Sequence, residues 1–317
     1  MKKILITRKL INSSEKLATK LFDAKLNKED KILSKEELIS ESQGCNGILS
    51  SLTEKFDSNL ISKLPATIKI ISNFAVGFGN IDIEAAKKKN IVVTNTPNVL
   101  TDATAEIAML ILLGAARRAK EGMQWANKKN WKWSADFLMG KQLTGSRLGI
   151  LGMGRIGRAV ADRARSFGMQ IHYFNRSRLN KNLEKDATYH KSLESLLSVS
   201  DFFSINCPAT KETKNIINKN TIKYFPDGAV VSNSARGDMI DDEAMVEALK
   251  SGKIFSLGLD VYNGEPNIHP EYLTLPNVYV LPHLGSATKK TRTAMADLAI
   301  NNIDEFFKTG KCKYQVN

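Results

Sequence analysis

The sequence predicts an α/β fold with parallel sheets in two domains, and three observations indicate it. Short apolar runs alternate with helical patterns along most of the chain, which is typical of parallel sheets covered by helices. A chain of 317 residues with 42% hydrophobic content is long enough to form two cores. One apolar run ends in three glycines spaced G-x-G-x-x-G and continues directly into a helical pattern.

The first domain is predicted to begin with residues 1–99. Its strands are predicted at residues 4–7, 47–49, 68–72 and 91–94, and its helices at residues 13–22, 35–42, 57–64 and 83–89. Two loops follow strands, at residues 50–53 and 74–80, and parallel sheets bind ligands at such loops. From spacing alone, residues 76–79 fit a simple flexible turn equally well.

The second domain is predicted over residues 100–286, after a hinge at residues 96–99. Thr101 or Asp102 can cap a helix over residues 103–118, whose apolar positions nearly encircle it and so predict burial at an interface. Further strands are predicted at residues 170–174, 202–206, 229–232, 256–260 and 278–281. A last helix over residues 288–308 is expected to return to the first domain, which would comprise residues 1–99 and 287–317.

Residues 120–146 are predicted to be irregular, and they contain all three tryptophans, Trp125, Trp131 and Trp133. Tryptophans on a loop more often form an interface than contact a cofactor. The segment is therefore predicted to form part of a dimer contact.

The glycine-rich turn predicts a dinucleotide site at residues 152–157. Gly152 permits the tight turn, Gly154 lacks the Cβ that would hold a pyrophosphate away, and Gly157 lets the helix lie close to the strand. The pyrophosphate would meet free N–H groups, including those of Arg155 and Ile156, at the positive end of the helix dipole.

The residues after the next strand favour NADP(H). An Asp or Glu would be expected there to bind the adenosine ribose of NAD, but the chain has Asn175, Arg176, Ser177 and Arg178. Two guanidinium groups and a hydroxyl suit the additional 2′-phosphate of NADP. Because the chain holds 46 Lys and Arg residues, chance alone can also place two here, and NAD(H) stays an alternative.

Composition excludes several classes of protein. The formal charge of +13 is spread along the chain without interleaved aromatic residues, so a solvated surface that steers anions is expected rather than nucleic-acid binding. No apolar run approaches the ~18 residues that span a bilayer. Cys45, Cys207 and Cys312 show neither disulfide nor metal-ligand spacing, which predicts a cytoplasmic protein without a metal.

Three polar residues follow strands of the second domain and are candidates for carbonyl reduction. Arg236 could bind a carboxylate through two hydrogen bonds, and His283 is one of only four histidines that could transfer a proton near neutral pH. Glu265 precedes a proline. Spacing alone leaves open a surface arginine, a solvated histidine and an ordinary turn.

The chain nevertheless resembles the D-isomer-specific 2-hydroxyacid dehydrogenases almost from end to end, and most of all their glyoxylate/hydroxypyruvate reductase branch. The matching motifs, in the order of the family, are AVGFGNID at residues 75–82, LTDATAE at 100–106, GMGRIG at 152–157, CP at 207–208, NSARG at 233–237, GLDVY at 258–262, GEP at 264–266 and PHLGSAT at 282–288. The resemblance implies two Rossmann-like or flavodoxin-like domains with the active site in the cleft between them.

The resemblance also implies roles for individual residues. Arg236 would bind the substrate carboxylate and carbonyl oxygen, His283 would donate the proton as hydride arrives, and Glu265 would orient its imidazole. Asp260 would contact the nicotinamide carboxamide. The remaining implied cofactor contacts are Cys207, Pro208, Ala235, Arg236, His283 and Gly285.

Substrate and subunit contacts are implied in the same way. Backbone N–H groups near Val76 and Gly77 would hold the carboxylate, and Ser51 and Leu52 would close the pocket. Dimerisation through residues 100–146 is implied, with Trp133 or Phe137 reaching the partner's site. The chain departs from the family at Gly79, where an Asp is common.

The sequence therefore predicts an NADPH-dependent reductase of a small 2-keto acid such as glyoxylate or hydroxypyruvate. One alternative is an NAD-dependent dehydrogenase of a larger or phosphorylated 2-hydroxy acid, similar to phosphoglycerate dehydrogenases. Another is an NAD(H)-sensing corepressor that binds partners without turnover, which the Arg236, Glu265 and His283 set does not exclude.

Overall fold

The computed structural model describes residues 1–129 and 131–317, and these form two compact units. The terminal unit consists of Met1–Leu100 and Ala287–Asn317, and the central unit consists of Thr101–Ser286. Each unit has one parallel sheet covered by helices, so the α/β prediction is confirmed. Within the described residues, no helix has both the length and the apolar content needed to cross a membrane.

The strands are short and every pairing between them is parallel. They are β1 (Lys3–Ile6), β2 (Asp23–Leu26), β3 (Gly47–Ser50), β4 (Ile70–Asn73), β5 (Val92–Thr94), β6 (Arg147–Leu151), β7 (Gln170–Phe174), β8 (Thr188–Tyr189), β9 (Phe202–Ile205), β10 (Ala229–Asn233), β11 (Ile254–Leu259) and β12 (Val278–Val280).

Most of the helices begin at a capping side chain or end at a glycine or a left-handed residue. They are α1 (Asn12–Leu21), α2 (Lys35–Glu41), α3 (Ser58–Lys63), α4 (Ile83–Lys88), α5 (Thr101–Ala116), α6 (Ala119–Lys128), α7 (Arg155–Ser166), α8 (Lys181–Glu184), α9 (Leu193–Leu197), α10 (Lys219–Ile222), α11 (Asp242–Ser251), α12 (Pro270–Thr274) and α13 (Lys289–Thr309), with a 3-10 turn at Gly237–Met239.

The sheet of the terminal unit has the order β2-β1-β3-β4-β5. Alternate residues of β1 face opposite sides, because side chains of a strand alternate. Ile4 packs with Ile300 and Ile303 of α13, whereas Leu5 packs with Ile48 on the side covered by α2, α3 and α4. The chain passes from β1 to β2 on one side of β1 and then returns to β3 on its other side. The loops after β1 and β3 therefore diverge at a switch point.

The sheet of the central unit has the order β12-β11-β10-β9-β6-β7-β8. From β6 the chain extends through β7 and β8 on one side and resumes with β9 on the other, so the loops after β6 and β9 flank a switch point. Helix α5 lies against this sheet, and a Cβ on Gly258 of β11 would collide with the carbonyl oxygen of Ile111. That contact places α5 directly on the sheet, whereas Leu110 on the same helix is 44% exposed.

Three local expectations were wrong. Residues 119–128 form helix α6 rather than irregular chain, because Arg118 adopts a left-handed conformation (φ 54°) that ends α5 and lets a new helix begin. Thr101 and Asp102 lie inside α5 instead of capping it. Strands β2 and β8 were not predicted, since short strands at a sheet edge carry little apolar pattern.

Candidate active site

The glycine-rich turn lies at the switch point of the central sheet. Gly152 has φ 92°, in the left-handed region that favours glycine, and a Cβ there would lie 2.5 Å from the backbone nitrogen of Cys207. A Cβ on Gly157 would overlap the carbonyl oxygen of Gly152. A Cβ on Gly154 would meet nothing within 4 Å, so the space in front of the first residues of α7 is open.

That open space fits a dinucleotide pyrophosphate. Gly154 precedes Arg155 at the start of α7, where the first N–H groups of a 12-residue helix lack intrahelical acceptors. Arg155 is exposed and Ile156 is half-buried beside it. Asn175 fixes the turn from the neighbouring strand, because its Oδ1 accepts a hydrogen bond of 2.7 Å from the N–H of Met153.

The two arginines after β7 differ in their contacts with the rest of the protein. Arg178 donates to Glu184 through Nε (3.0 Å) and Nη2 (2.9 Å), and the Glu184 side chain is only 5% exposed. The hydroxyl of Tyr173 also donates to Glu184, at 2.7 Å. Arg176 and Ser177 are exposed, and Arg176 makes no hydrogen bond or ion pair among the described residues. Of Arg176 and Arg178, only Arg176 therefore has a guanidinium without a protein partner among the described residues.

Charge and burial explain the pKa values in this cluster. Hydrogen bonds from Arg178 and Tyr173 hold the pKa of Glu184 below its usual range. Burial, together with the hydrogen bond to Glu184, raises the pKa of Tyr173 to about 12. The carboxylate of Glu184 thus stays ionised and Arg178 stays paired, a contact that the sequence around residues 175–178 did not indicate.

Cys207 and Pro208 follow β9 on the other side of the turn. Burial raises the pKa of the Cys207 thiol to about 11, so the thiol stays protonated near neutral pH. Contact with a ligand is therefore expected from the backbone of Cys207 rather than from its sulfur. Two buried side-chain atoms after the neighbouring strands β9 and β10 have no hydrogen-bond partner within the described residues. They are Asn206 Oδ1 and Ser234 Oγ. Sequence reasoning missed both, and their position after strands was the only signal.

Arg236 follows β10 and is held by its neighbours in sequence. Its Nη1 donates to the carbonyl oxygen of Ala235 at 2.7 Å, and its own carbonyl oxygen accepts from Asn233 Nδ2 at 2.7 Å. Burial lowers the pKa of Arg236, partly offset by the nearby carboxylates of Glu265 and Asp238. A guanidinium retains its charge under these conditions, so Arg236 brings a desolvated cation to the site.

Glu265 and His283 form a close pair. His283 Nδ1 lies 2.7 Å from Glu265 Oε2, and Glu265 Oε1 accepts a hydrogen bond of 3.1 Å from the N–H of Tyr262. Burial by itself raises the pKa of Glu265, but the bond to His283 and the charges of His283 and Arg236 outweigh it and leave that pKa lowered. His283 Nε2 has no partner among residues 1–129 and 131–317.

The turn that carries His283 is fixed by Asp260. Its two carboxylate oxygens accept from the N–H groups of Leu284 (2.6 Å) and Gly285 (2.8 Å), and its carbonyl oxygen accepts from the N–H of His283. His283 has φ 56°, a conformation that non-glycine residues rarely adopt and that is often found at functional sites. Burial raises the pKa of Asp260 against these hydrogen bonds.

The terminal unit carries the other predicted residues on two loops. Ser51 is buried and its N–H donates to the buried carboxylate of Glu54 at 2.8 Å, while the side chain of Leu52 is 41% exposed. Val76 and Gly77 are half-buried on the loop after β4. Within the described part of the chain, the N–H groups of Val76 and Gly77 have no acceptor.

The structure thus forms one group from Arg236, Glu265, His283 and Asp260, and a second from the glycine turn with Asn175 and Cys207, all in the central unit. The loops that carry Ser51, Leu52, Val76 and Gly77 form a third group in the terminal unit. Arg178, which was predicted to bind the cofactor, is instead hydrogen-bonded to Glu184.

This combination of a parallel sheet, a dinucleotide turn and an Arg, Glu and His set defines a class of dehydrogenase. The model of the D-isomer specific 2-hydroxyacid dehydrogenase NAD-binding domain matches residues 109–285. The chain belongs to this family, and it is an oxidoreductase that uses a nicotinamide dinucleotide.

Relatives and a solved structure resemble the chain over nearly its whole length. It is 43% identical to a glycerate dehydrogenase of Hyphomicrobium methylovorum, over 99% of this chain and 98% of the relative. It is 39% identical to a glyoxylate reductase of Thermococcus litoralis, over 96% and 94% of the two chains. The NADPH-dependent glyoxylate/hydroxypyruvate reductase of Sinorhizobium meliloti, solved with NADP and malonate, aligns with a TM-score of 0.88 at 31% identity, covering 99% of this chain and 96% of that one.

Gly154 and Gly157 give a test of the cofactor site. Gly154→Ala should leave the unfolding temperature unchanged, because its Cβ would enter open space, yet weaken dinucleotide binding about tenfold or more, since the methyl group would meet the pyrophosphate. Gly157→Ala should lower the unfolding temperature, because overpacking costs roughly 1–3 kcal/mol.

Calorimetric titration with NADPH and thermal unfolding measure the two effects. If Gly154→Ala bound NADPH as tightly as the unaltered protein does, the assignment of this turn to the pyrophosphate would be contradicted.

Proposed function

We propose that this protein reduces a small 2-keto acid, of the glyoxylate or hydroxypyruvate type, to the D-2-hydroxy acid with NADPH as the preferred cofactor. The observation that carries the proposal is the pair of Glu265 and His283 beside the desolvated guanidinium of Arg236. The glyoxylate reductases among its relatives support the substrate class. Reduction of hydroxypyruvate gives glycerate, so oxidation of D-glycerate is the reaction to test in the opposite direction.

His283 is proposed as the general acid. A reduced nicotinamide, when bound, supplies a hydride to the carbonyl carbon. As negative charge develops on the carbonyl oxygen, the N–H at Nε2 of His283 donates its proton to that oxygen and leaves a hydroxyl group. Glu265 accepts from Nδ1 at 2.7 Å, which fixes the ring and keeps Nε2 directed away from the carboxylate.

Arg236 and the loops of the terminal unit are proposed to hold the substrate. A guanidinium can bind a carboxylate and the adjacent carbonyl oxygen together, and burial strengthens that interaction. The free N–H groups of Val76 and Gly77 would bind the carboxylate, with Ser51 and Leu52 closing the pocket. At Gly79 no side chain is present to assist, so on this loop only backbone groups would bind the anion.

Replacing the proposed acid tests the mechanism. His283→Ala should lower kcat by about 10²–10⁴-fold, the usual contribution of general acid catalysis. Glu265→Gln keeps the size of the side chain but removes its charge, so a smaller loss is expected. His190→Ala removes a histidine that hydrogen-bonds to His172 and serves as the control, with kcat unchanged.

Steady-state oxidation of NADPH with glyoxylate measures these rates. Turnover of His283→Ala close to that of the unaltered enzyme would exclude His283 as the acid.

NADP(H) preference is proposed to depend mainly on Arg176. Asn175, Ser177 and Arg178 complete the segment, but Arg178 is paired with Glu184 and Arg176 has no protein partner in the described residues. A charged hydrogen bond to the 2′-phosphate is worth roughly 1.5–3 kcal/mol, that is, about ten- to a hundredfold in binding.

The two arginines can be separated by single substitutions. Arg176→Gln should lower kcat/KM for NADPH about tenfold or more and leave that for NADH unchanged. Arg178→Gln should change the ratio of the two values much less but reduce thermal stability, because the buried Glu184 loses its ion pair. Kinetics with both cofactors decide: an equal loss with NADPH and NADH in Arg176→Gln would contradict a role in reading the phosphate.

A homodimer through residues 100–146 is also proposed. Large apolar side chains are exposed along this region, including Met123 (64%) on α6 and Trp133 (79%), and such patches mark interaction surfaces. Phe137 lies against Trp125 and stacks on Trp131 with ring centroids 6.3 Å apart. Because Phe137 is engaged within its own chain, Trp133 is the better candidate to reach a partner's site.

Met123→Glu should convert the dimer to monomer in sedimentation velocity, since it would bury a charge at the interface. Ile32→Glu, at an exposed apolar residue of the terminal unit (61%), is the control and should stay dimeric. A dimer that persists in Met123→Glu, or a monomeric unaltered protein, would contradict this interface.

We further propose that Thr101–Ser286 binds the cofactor and that Met1–Leu100 with Ala287–Asn317 binds the substrate. The predicted cytoplasmic location is retained on the spacing of the three cysteines, which are free thiols in the structure.

A further inference from the structure

The loop after β4 has three consecutive peptide groups whose carbonyl oxygens are all held from within the terminal unit. The carbonyl oxygen of Ala75 accepts from the N–H of Thr96 at 2.9 Å. That of Val76 accepts from Asn95 Nδ2 at 2.8 Å, and that of Gly77 accepts from Asn73 Nδ2 at 2.9 Å. Two of the three peptide orientations therefore depend on asparagine side chains.

Holding a carbonyl oxygen also fixes the N–H on the opposite side of the same peptide. These peptides are trans, and in a trans peptide the C=O and N–H bonds point in opposite directions. The N–H groups of Val76, Gly77 and Phe78 thus point away from the groups that hold the carbonyls. None of the three has an acceptor in residues 1–129 or 131–317, so each is available to donate to an anionic ligand.

The two asparagines are buried parts of the fold rather than surface residues. Asn73 is fully buried at the end of β4, and Asn95 is 9% exposed just after β5. Asn73 Nδ2 also donates to Asn80 Oδ1 at 3.1 Å, and Asn80 Nδ2 donates to the carbonyl oxygen of Ser51 at 3.0 Å. The same network therefore connects the loop after β4 to the loop after β3.

We propose that Asn73 and Asn95 are positioning residues for the substrate carboxylate, and that the N–H of Phe78 is a third donor to it. The inference rests on the proposed function, because it assigns these N–H groups to the carboxylate of a 2-keto acid. Asn95 orients the N–H of Gly77 and Asn73 orients that of Phe78. Neither asparagine touches the reacting carbonyl.

A positioning role predicts a change in KM rather than in kcat. The carboxylate is the same in the substrate and in the transition state, so its binding groups contribute equally to both, and their loss raises KM with kcat unchanged. A purely structural role would lower stability and the fraction of active enzyme, which leaves KM unaltered. The two roles are therefore separable in one set of kinetic measurements.

The test uses Asn95→Ala in the full-length enzyme with glyoxylate. KM for glyoxylate should rise about tenfold while kcat stays within about twofold and KM for NADPH is unchanged. The dissociation constant of oxamate, a carboxylate that cannot be reduced in this way, should rise by the same factor in the NADPH-saturated enzyme. Asn277→Ala is the control, because the Asn277 amide also donates to backbone carbonyls, those of Leu249 and Phe255, before β12.

A measurement on the unaltered protein tests the third donor even if Asn95→Ala fails to fold. With ¹⁵N-labelled phenylalanine, the amide resonance of Phe78, assigned through Phe78→Leu, should shift when oxamate is added to the NADPH-saturated enzyme. An unshifted Phe78 amide would exclude the third donor, and an unchanged glyoxylate KM in active Asn95→Ala would overturn the positioning role. Absence of turnover by the unaltered enzyme with glyoxylate and hydroxypyruvate would instead overturn the proposed function.

Discussion

Parallel strand pairing is the constraint on which the candidate site depends. In a parallel sheet the carboxyl ends of all strands lie at one edge, so residues far apart in the chain are brought together there. In the central unit this edge collects the glycine turn after β6, Cys207 after β9, Arg236 after β10 and Asp260 after β11. In the terminal unit the same constraint brings the loops after β3, β4 and β5 into one hydrogen-bonded network.

Backbone groups provide much of the binding capacity at both edges. The first N–H groups of α7 face the space in front of Gly154, and the N–H groups of residues 76–78 have no acceptor in the described part of the chain. Side chains behind them set their direction, as Asn175 does for the glycine turn and Asn95 does for the loop after β4. Fixed dipoles need no rearrangement when an anion arrives, which is an efficient way to stabilise charge.

The charged side chains of the candidate site are paired and partly desolvated. Glu265 keeps a lowered pKa despite burial because His283 and Arg236 compensate for the lost hydration. The carboxylate of Asp260 accepts from two backbone N–H groups and so fixes the turn that carries His283. The same principle operates at Glu184, whose buried carboxylate pairs with Arg178.

The sequence by itself determined the α/β class and a dinucleotide turn, because glycine spacing and apolar periodicity are local properties that follow from backbone geometry. The family came from the resemblance that its ordered motifs carry. It did not reveal α6, since the break at Arg118 depends on a backbone conformation that its side chain does not encode. Only the tertiary structure decided that Arg178 pairs with Glu184 and that Asn73 and Asn95 hold the carbonyls of residues 77 and 76. These contacts join residues from separate strands, helices and loops, and their energies depend on burial and distance, which no local pattern in the chain specifies.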